Sequence, residues 1–347
     1  MRWRNSEART GVAPESITYT YDAIGNRVSQ TGSSLNGTFA YDADDELTSF
    51  TNSGASSASA TFGYDADGQR VSEMTGLSPG FAGNASQFGY DFDGNLTRIT
   101  AAGNGFVSFV YDGLDRQLGW QTGAARLDYQ LDGNAPLTET NQTTSRVNLY
   151  GNGLVSSGGE TLLADGLGAT RQTTNAAGNV QWSGVFTGYG LTSSASGGTG
   201  NPYGWGAKSG YRTDGFGPTG GAPLQKVGAR YYDPEFGCFL TRDTELDQKP
   251  YAYCDSDPIN LTDPSGHTAK KKTKKSGGQG GSKGGNSGGN SGGPISDTGK
   301  AIKEASEGVA KILEATHASA SGELNVTVIH NGSYTKVVIT LRIGVTK

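Results

Sequence analysis

The chain has 347 residues and a formal net charge of -5 at pH 7, with 56 glycines, 33% hydrophobic residues and two cysteines. That length can bury a sizeable core, but the glycine excess and low apolar content point to many turns and thin, half-solvated sheets, and the absence of a Gly-X-Y period excludes collagen. The acidic balance gives no reason to expect nucleic acid on the body of the chain, and no apolar run is long enough for a signal peptide or a membrane span, so for an exported protein the signal is expected outside this sequence or the route is one without a signal peptide.

Residues 1–15 are polar and read as a loose N-terminus. From 16 to 145 a beat is audible: Tyr21-Asp22, Tyr41-Asp42, Tyr64-Asp65, Tyr90-Asp91 and Tyr111-Asp112 recur every 20 to 26 residues, with a degenerate sixth copy at 128–137, "DYQLDGNAPL". Such a period marks one supersecondary unit per repeat. Each copy reads as a strand, a tight turn and a returning strand. Gly25, Gly68, Gly94 and Gly133 supply positive φ in the turns, and the neighbouring Asp or Asn bonds the local backbone. The tyrosines are expected to form a ladder, each hydroxyl reaching a polar partner and stapling one hairpin to the next. Their carboxylate neighbours are turn chemistry and not catalytic candidates.

Residues 146–229 keep the strand-and-turn style without the Tyr-Asp beat. Residues 230–267, "RYYDPEFGCFLTRDTELDQKPYAYCDSDPINLTDPSGH", are dense in aromatics and Asp-Pro pairs without helical periodicity, which predicts short strands and locked turns. Cys238 and Cys254 have no second Cys or His at ligand spacing. Two free thiols and no metal or other cofactor are the expectation. Residues 268–293, with "KKKTKK" and then Gly, Ser and Asn, form a tether that cannot repay the entropy of ordering. In the tail, 294–347, Ile302, Ala305, Val309, Ile312, Leu313 and Thr316 share one helical face behind Asp297 as N-cap, predicting a helix near 298–317. A β-hairpin turning at Asn331-Gly332 follows.

The Tyr-Asp repeats followed by "ARYYDPEFGCFLTRD" and "YAYCDSDPINLTDPSG" resemble the Rhs or YD-repeat family, which includes the C components of bacterial Tc toxins, polymorphic toxins and, more distantly, teneurins. The resemblance covers about 16–267; "LADGLGATR" at 163–171 and "GYG" at 188–190 share in it. It implies a mainly β fold, a tandem β-hairpin sheet ending in an Rhs core plug, here with a small C-terminal helix plus hairpin. The family's ribbon spirals into a hollow shell that encloses a variable tail, and its core cuts that tail free by aspartate-dependent self-cleavage just after a DPxG motif. Six repeats are too few for a complete shell, so the chain is expected to be a C-terminal part or a shortened relative.

Aspartyl proteolysis needs two carboxylates, one ionised to take a proton from water and one protonated to give one. The second family motif is intact as Asp263-Pro264-Ser265-Gly266; the first has become "RDTEL", keeping Asp243 without its Pro and Gly. By position in the family pattern Asp243 is one catalytic carboxylate, with Arg242 beside it to orient it. Asp263 is the second candidate, and a self-capping Asp-Pro turn is the structural alternative. Asp255 and Asp257, in the same loop, are substitutes. The family's cleavage point falls between His267 and Thr268, with His267 in place of an apolar residue.

The tail's distinctive polar groups are His317, His330, Lys336 and Arg342, without a metal constellation or a Ser-His-Asp set. Two function classes follow: a secreted or surface self-processing shell that carries a variable tail, and a non-cleaving structural β-repeat module. The first implies the chain's own tail, a secretion apparatus, an immunity protein or a cell-surface ligand as partners. The tail, whose narrow apolar face and β-prone last strand bury little, is expected to gain order against a partner.

Overall fold

The computed structural model describes residues 6–9, 15–32, 36–53, 59–77, 84–102, 105–198, 201–219, 221–245, 247–271, 322–330 and 335–343. The chain divides into two compact units, Met1–Lys275 and Ser276–Lys347.

The first unit is built on a meander of 19 described strands, from Ser6–Arg9 to Thr192–Gly197, each antiparallel to the next in sequence. Local chemistry makes the hairpins. In the first repeat the Oδ1 of Asp22 accepts the backbone N–H groups of Ile24, Gly25 and Asn26 at 3.0, 2.7 and 2.8 Å. Asp42, Asp65, Asp91 and Asp112 cap their turns in the same way. Gly25, Gly68 and Gly94 hold φ of 94°, 75° and 83°, while Asp45 and Asp115 take the same left-handed position at 65° and 58°. Short polar side chains tolerate that region better than others do, so the repeat survives without its glycine.

The tyrosine ladder is present. The hydroxyls of Tyr41, Tyr90 and Tyr111 donate to the carbonyls of Arg27, Arg70 and Leu96 in the preceding hairpin, at 3.1, 2.8 and 2.9 Å. Tyr150, outside the Tyr-Asp beat, does the same to Pro136 at 3.1 Å. A phenol therefore fastens neighbouring hairpins where the turn geometry interrupts the strand register.

Alternation along the strands buries one face. Phe39, Phe50 and Phe62 meet Phe236, Cys238 and Tyr251, and farther along Phe88, Ile99, Val107 and Phe109 meet Leu224, Tyr231 and Leu240. The cover over this face is thus the downstream segment, which carries its own four-stranded sheet: Arg212–Thr213, Gln225–Val227, Arg230–Asp233 and Cys238–Phe239. It is the plug against the wall. Three buried guanidiniums rivet the two: Arg27 between Phe39 and Tyr189, Arg70 over Phe62, and Arg212 over Tyr129. Arg70, with no exposed surface, bonds Glu73, Asp233 and the Cys238 sulfur at 3.2, 2.8 and 3.1 Å.

In the second unit, Gly322–His330 and Thr335–Ile343 pair antiparallel, from Gly322 opposite Ile343 to His330 opposite Thr335. The helix expected near 298–317 and the Asn331-Gly332 turn lie outside the described residues. Among the described residues no helix is long and apolar enough to cross a membrane.

Candidate functional site

The plug ends in a turn that the sequence dictates. Asp263 sits before Pro264 and folds its carboxylate back, so that Oδ1 accepts the Ser265 hydroxyl and the backbone N–H groups of Gly266 and His267 at 3.1, 3.0 and 3.1 Å. Tyr211 receives the N–H of Asp263 at 2.8 Å, and Ala229 donates its own to the Ser265 carbonyl at 2.9 Å. The approach is close enough that a Cβ on Gly228, at φ 55°, would lie 2.1 Å from that carbonyl. Only glycine lets the two backbones meet.

Asp243 comes from the other side. Its N–H bonds the Pro250 carbonyl at 2.9 Å and its Oδ1 accepts the Glu245 N–H at 3.0 Å, which closes the loop 243–250. Between the two aspartates stands Arg230. One Nη lies 2.6 Å from Asp243 Oδ2, the Nε donates to the Gly266 carbonyl, the other Nη reaches the Pro250 carbonyl at 3.1 Å, and the guanidinium lies 3.6 Å above the Phe239 ring. Burial lowers the Arg230 pKa to about 10, against the pull of Asp243 and Asp263; it stays charged at neutral pH. His267 then bridges the carboxylates, its N–H on Asp263 and its ring Nδ1 2.9 Å from Asp243 Oδ1. Lys249, Asp255, Gln248 and Ala269 complete a cleft of ≈ 10 Å³, room for about one water.

The structure therefore brings Asp243, Asp263 and His267 together. Arg242, expected beside Asp243, is exposed, and its N–H bonds the Gly68 carbonyl at 3.2 Å; the cation on Asp243 is Arg230. Asp255 lines the cleft, whereas Asp257 accepts the Asn260 side-chain amide at 2.9 Å. Thr268 is exposed and donates its N–H to Ser265 Oγ at 3.1 Å. Arg230 and the His267 ring are the two groups sequence reasoning missed. A charged residue heading the otherwise apolar "RYY" run was the available signal. Cys238 and Cys254 are buried and form no disulfide. Burial pushes the Cys238 thiol up to about 11, too high for a nucleophile at neutral pH. Among the described residues no group of three or more His, Cys, Asp or Glu is arranged to hold a metal ion.

Residues 2–126 match the family model described as Teneurin YD-shell. That stretch, about a third of the chain, carries the YD-repeat pattern of this family model. No curated relative matches. Among solved structures, the YD-repeat chain is similar to one described as a crystal structure of TcdB2-TccC3-Cdc42, at 15% identity and TM-score 0.41 over 73% of this chain and 17% of that one. It is also similar to a Tc holotoxin pore of Photorhabdus luminescens, at 13% identity and TM-score 0.40 over 74% of this chain. The YD-repeat chain spans 17% of the length of each of these structures.

Proposed function

We propose that this YD-repeat chain is the C-terminal part of a secreted, polymorphic-toxin-like β shell that carries its C-terminal tail and severs it between His267 and Thr268. The observation that supports this reading is the convergence of two buried carboxylates on one residue, His267, at the end of the plug. Asp243, with an Arg230 nitrogen 2.6 Å from its Oδ2, is the base that takes a proton from water. The hydroxide formed attacks the His267 carbonyl carbon. Asp263, through its second oxygen, is the acid that gives a proton to the Thr268 nitrogen as the C–N bond breaks. One water is consumed: one of its protons rests on Asp243, and the proton of the new carboxyl group passes to the released nitrogen, leaving a carboxylate on His267, an ammonium on Thr268 and Asp263 ionised. Partners on this reading are the chain's own tail and an export apparatus, with an immunity protein or surface ligand downstream.

A second reading, a non-cleaving structural module, draws support from Asp263 itself. Three donors on one oxygen satisfy it as a turn cap. Intact mass of the purified chain separates the two. Cleavage gives fragments of 267 and 80 residues, the latter being 347 minus 267, and Asp243→Asn keeps the fold but stays whole. Equal cutting in both chains would assign the cut to another protease. No cutting in either favours the structural module.

A further inference from the structure

We propose that Tyr251 is a positioning residue of this site: its hydroxyl, on the Gly68 carbonyl of the third Tyr-Asp turn, holds the loop that carries Asp243 against the wall. The proposal deepens the self-processing reading above and rests on it. Residues 240–242 run along that turn, with the Arg70 N–H on the Leu240 carbonyl at 2.8 Å and Gln69 facing Thr241. The Gly68 carbonyl then takes the Arg242 N–H at 3.2 Å and the Tyr251 hydroxyl at 2.8 Å. Arg242 and Tyr251 bracket the loop 243–250, so both of its ends hang on one oxygen of the wall, whose two lone pairs are thereby used.

The Tyr251 end is the one that reaches the chemistry. Its neighbour Pro250 offers a carbonyl to the Asp243 N–H at 2.9 Å and to an Arg230 nitrogen at 3.1 Å, so the base and its cation share a support one residue from the phenol. The ring itself is clamped, 5% exposed and edge-on to Tyr64 with centroids 5.6 Å apart. Its hydroxyl also lies 3.2 Å from Glu46 Oε1; one proton serves one acceptor, and the Gly68 carbonyl is the nearer. The wall is shaped for this contact. Asp45 and Asp115 stand at the left-handed position of the second and fifth turns, so the turn alone does not demand glycine, whereas a Cβ on Gly68 would lie 2.5 Å from the Tyr251 oxygen.

The test follows the full chain by intact mass over time in four forms: wild type, Tyr251→Phe, Gly68→Ala and Tyr111→Phe, the last losing a similar phenol-to-carbonyl bond elsewhere in the wall, to Leu96 at 2.9 Å. Tyr251→Phe and Gly68→Ala are expected to convert at least about fivefold more slowly than wild type, the scale of one hydrogen bond, and Tyr111→Phe within about twofold of it. Far-UV circular dichroism confirms that each variant is folded. With Asp263→Asn added to keep the chain whole, Tyr251→Phe should speed amide exchange in 243–250 above the rest of the wall and plug, which a general loss of stability would not do. Folded Tyr251→Phe or Gly68→Ala chains that convert as fast as wild type, an equal slowing in Tyr111→Phe, or unchanged exchange in 243–250 overturns the positioning role while leaving self-processing intact. A wild-type chain that stays whole overturns self-processing and this inference with it.

Discussion

Glu73→Gln is expected to raise the stability of the wall–plug junction in a strongly pH-dependent way. Glu73, on the strand Arg70–Leu77, is 1% exposed, and its Oε2 shares one Arg70 nitrogen with Asp233, at 3.2 and 2.8 Å. One guanidinium faces two carboxylates, with Glu235 behind them. Burial, then repulsion from Asp233, pushes the Glu73 pKa from 4.5 up to about 8. In the unfolded chain the group loses its proton near 4.5, whereas folded it keeps it to about 8. Between those values the folded state binds the extra proton, so stability falls as pH rises, and the loss is complete above about 8. The interval, 8 minus 4.5, corresponds to about 5 kcal/mol at about 1.36 kcal/mol per pH unit. Glu235, pushed up to about 7 by burial and Asp233, adds to the slope in the same window. Gln keeps the shape and cannot ionise. Urea unfolding of the full chain at pH 5, 6.5 and 8, followed by far-UV circular dichroism, should show the variant gaining little over wild type at pH 5 and up to about 5 kcal/mol at pH 8. A gap that stays constant with pH, or a variant less stable at pH 8, refutes the reasoning.

Arg230→Leu strands Asp243 as an unpaired buried charge and should cost about 3–5 kcal/mol in urea unfolding, part of which Asp243→Asn in the same chain should return. Tyr90→Phe removes the hydroxyl that fastens the Arg70 carbonyl and should lower stability by about 1 kcal/mol without changing the circular dichroism spectrum. Gly228→Ala, forced to φ 55° with its Cβ against the Ser265 carbonyl, should cost on the order of 3 kcal/mol or more; mass spectrometry should find its tail still attached.

The hairpins were legible because everything that makes them is local. An Asp, a turn residue at positive φ and an alternating strand are read within ten positions, and even the tyrosine ladder spans one repeat. The rivets were not. Arg70 meets Asp233 across 163 residues and Gln117 meets Asp214 across 97; no period in the sequence connects them, and a buried arginine looks like a surface one until its partner is known. At the candidate site the family pattern located Asp243 and Asp263, which the fold brings to one residue. The cation beside Asp243 was less legible: Arg242, next to it in sequence, is exposed while Asp243 is buried. Arg230 arrives from another strand.

The distance in sequence between wall and plug sets an order of events during synthesis. Ser256 bonds the carbonyl of Gly25 across 231 residues, and Tyr251 that of Gly68 across 183. At about 5–20 residues per second, the first hairpins wait on the order of 10–50 seconds with Phe39, Phe50 and Phe62 facing water before their cover emerges. A holding chaperone, or passage through an exporter in an unfolded form, fits that interval, because contacts of such long range also close slowly. Arg230, Asp243, Asp263 and His267 all emerge after most of the wall, and Arg242 docks its backbone on Gly68 of the third Tyr-Asp turn. Any chemistry at that cluster is therefore timed to the closing of the fold, so a tail cut there would be released only from a chain whose wall is already covered.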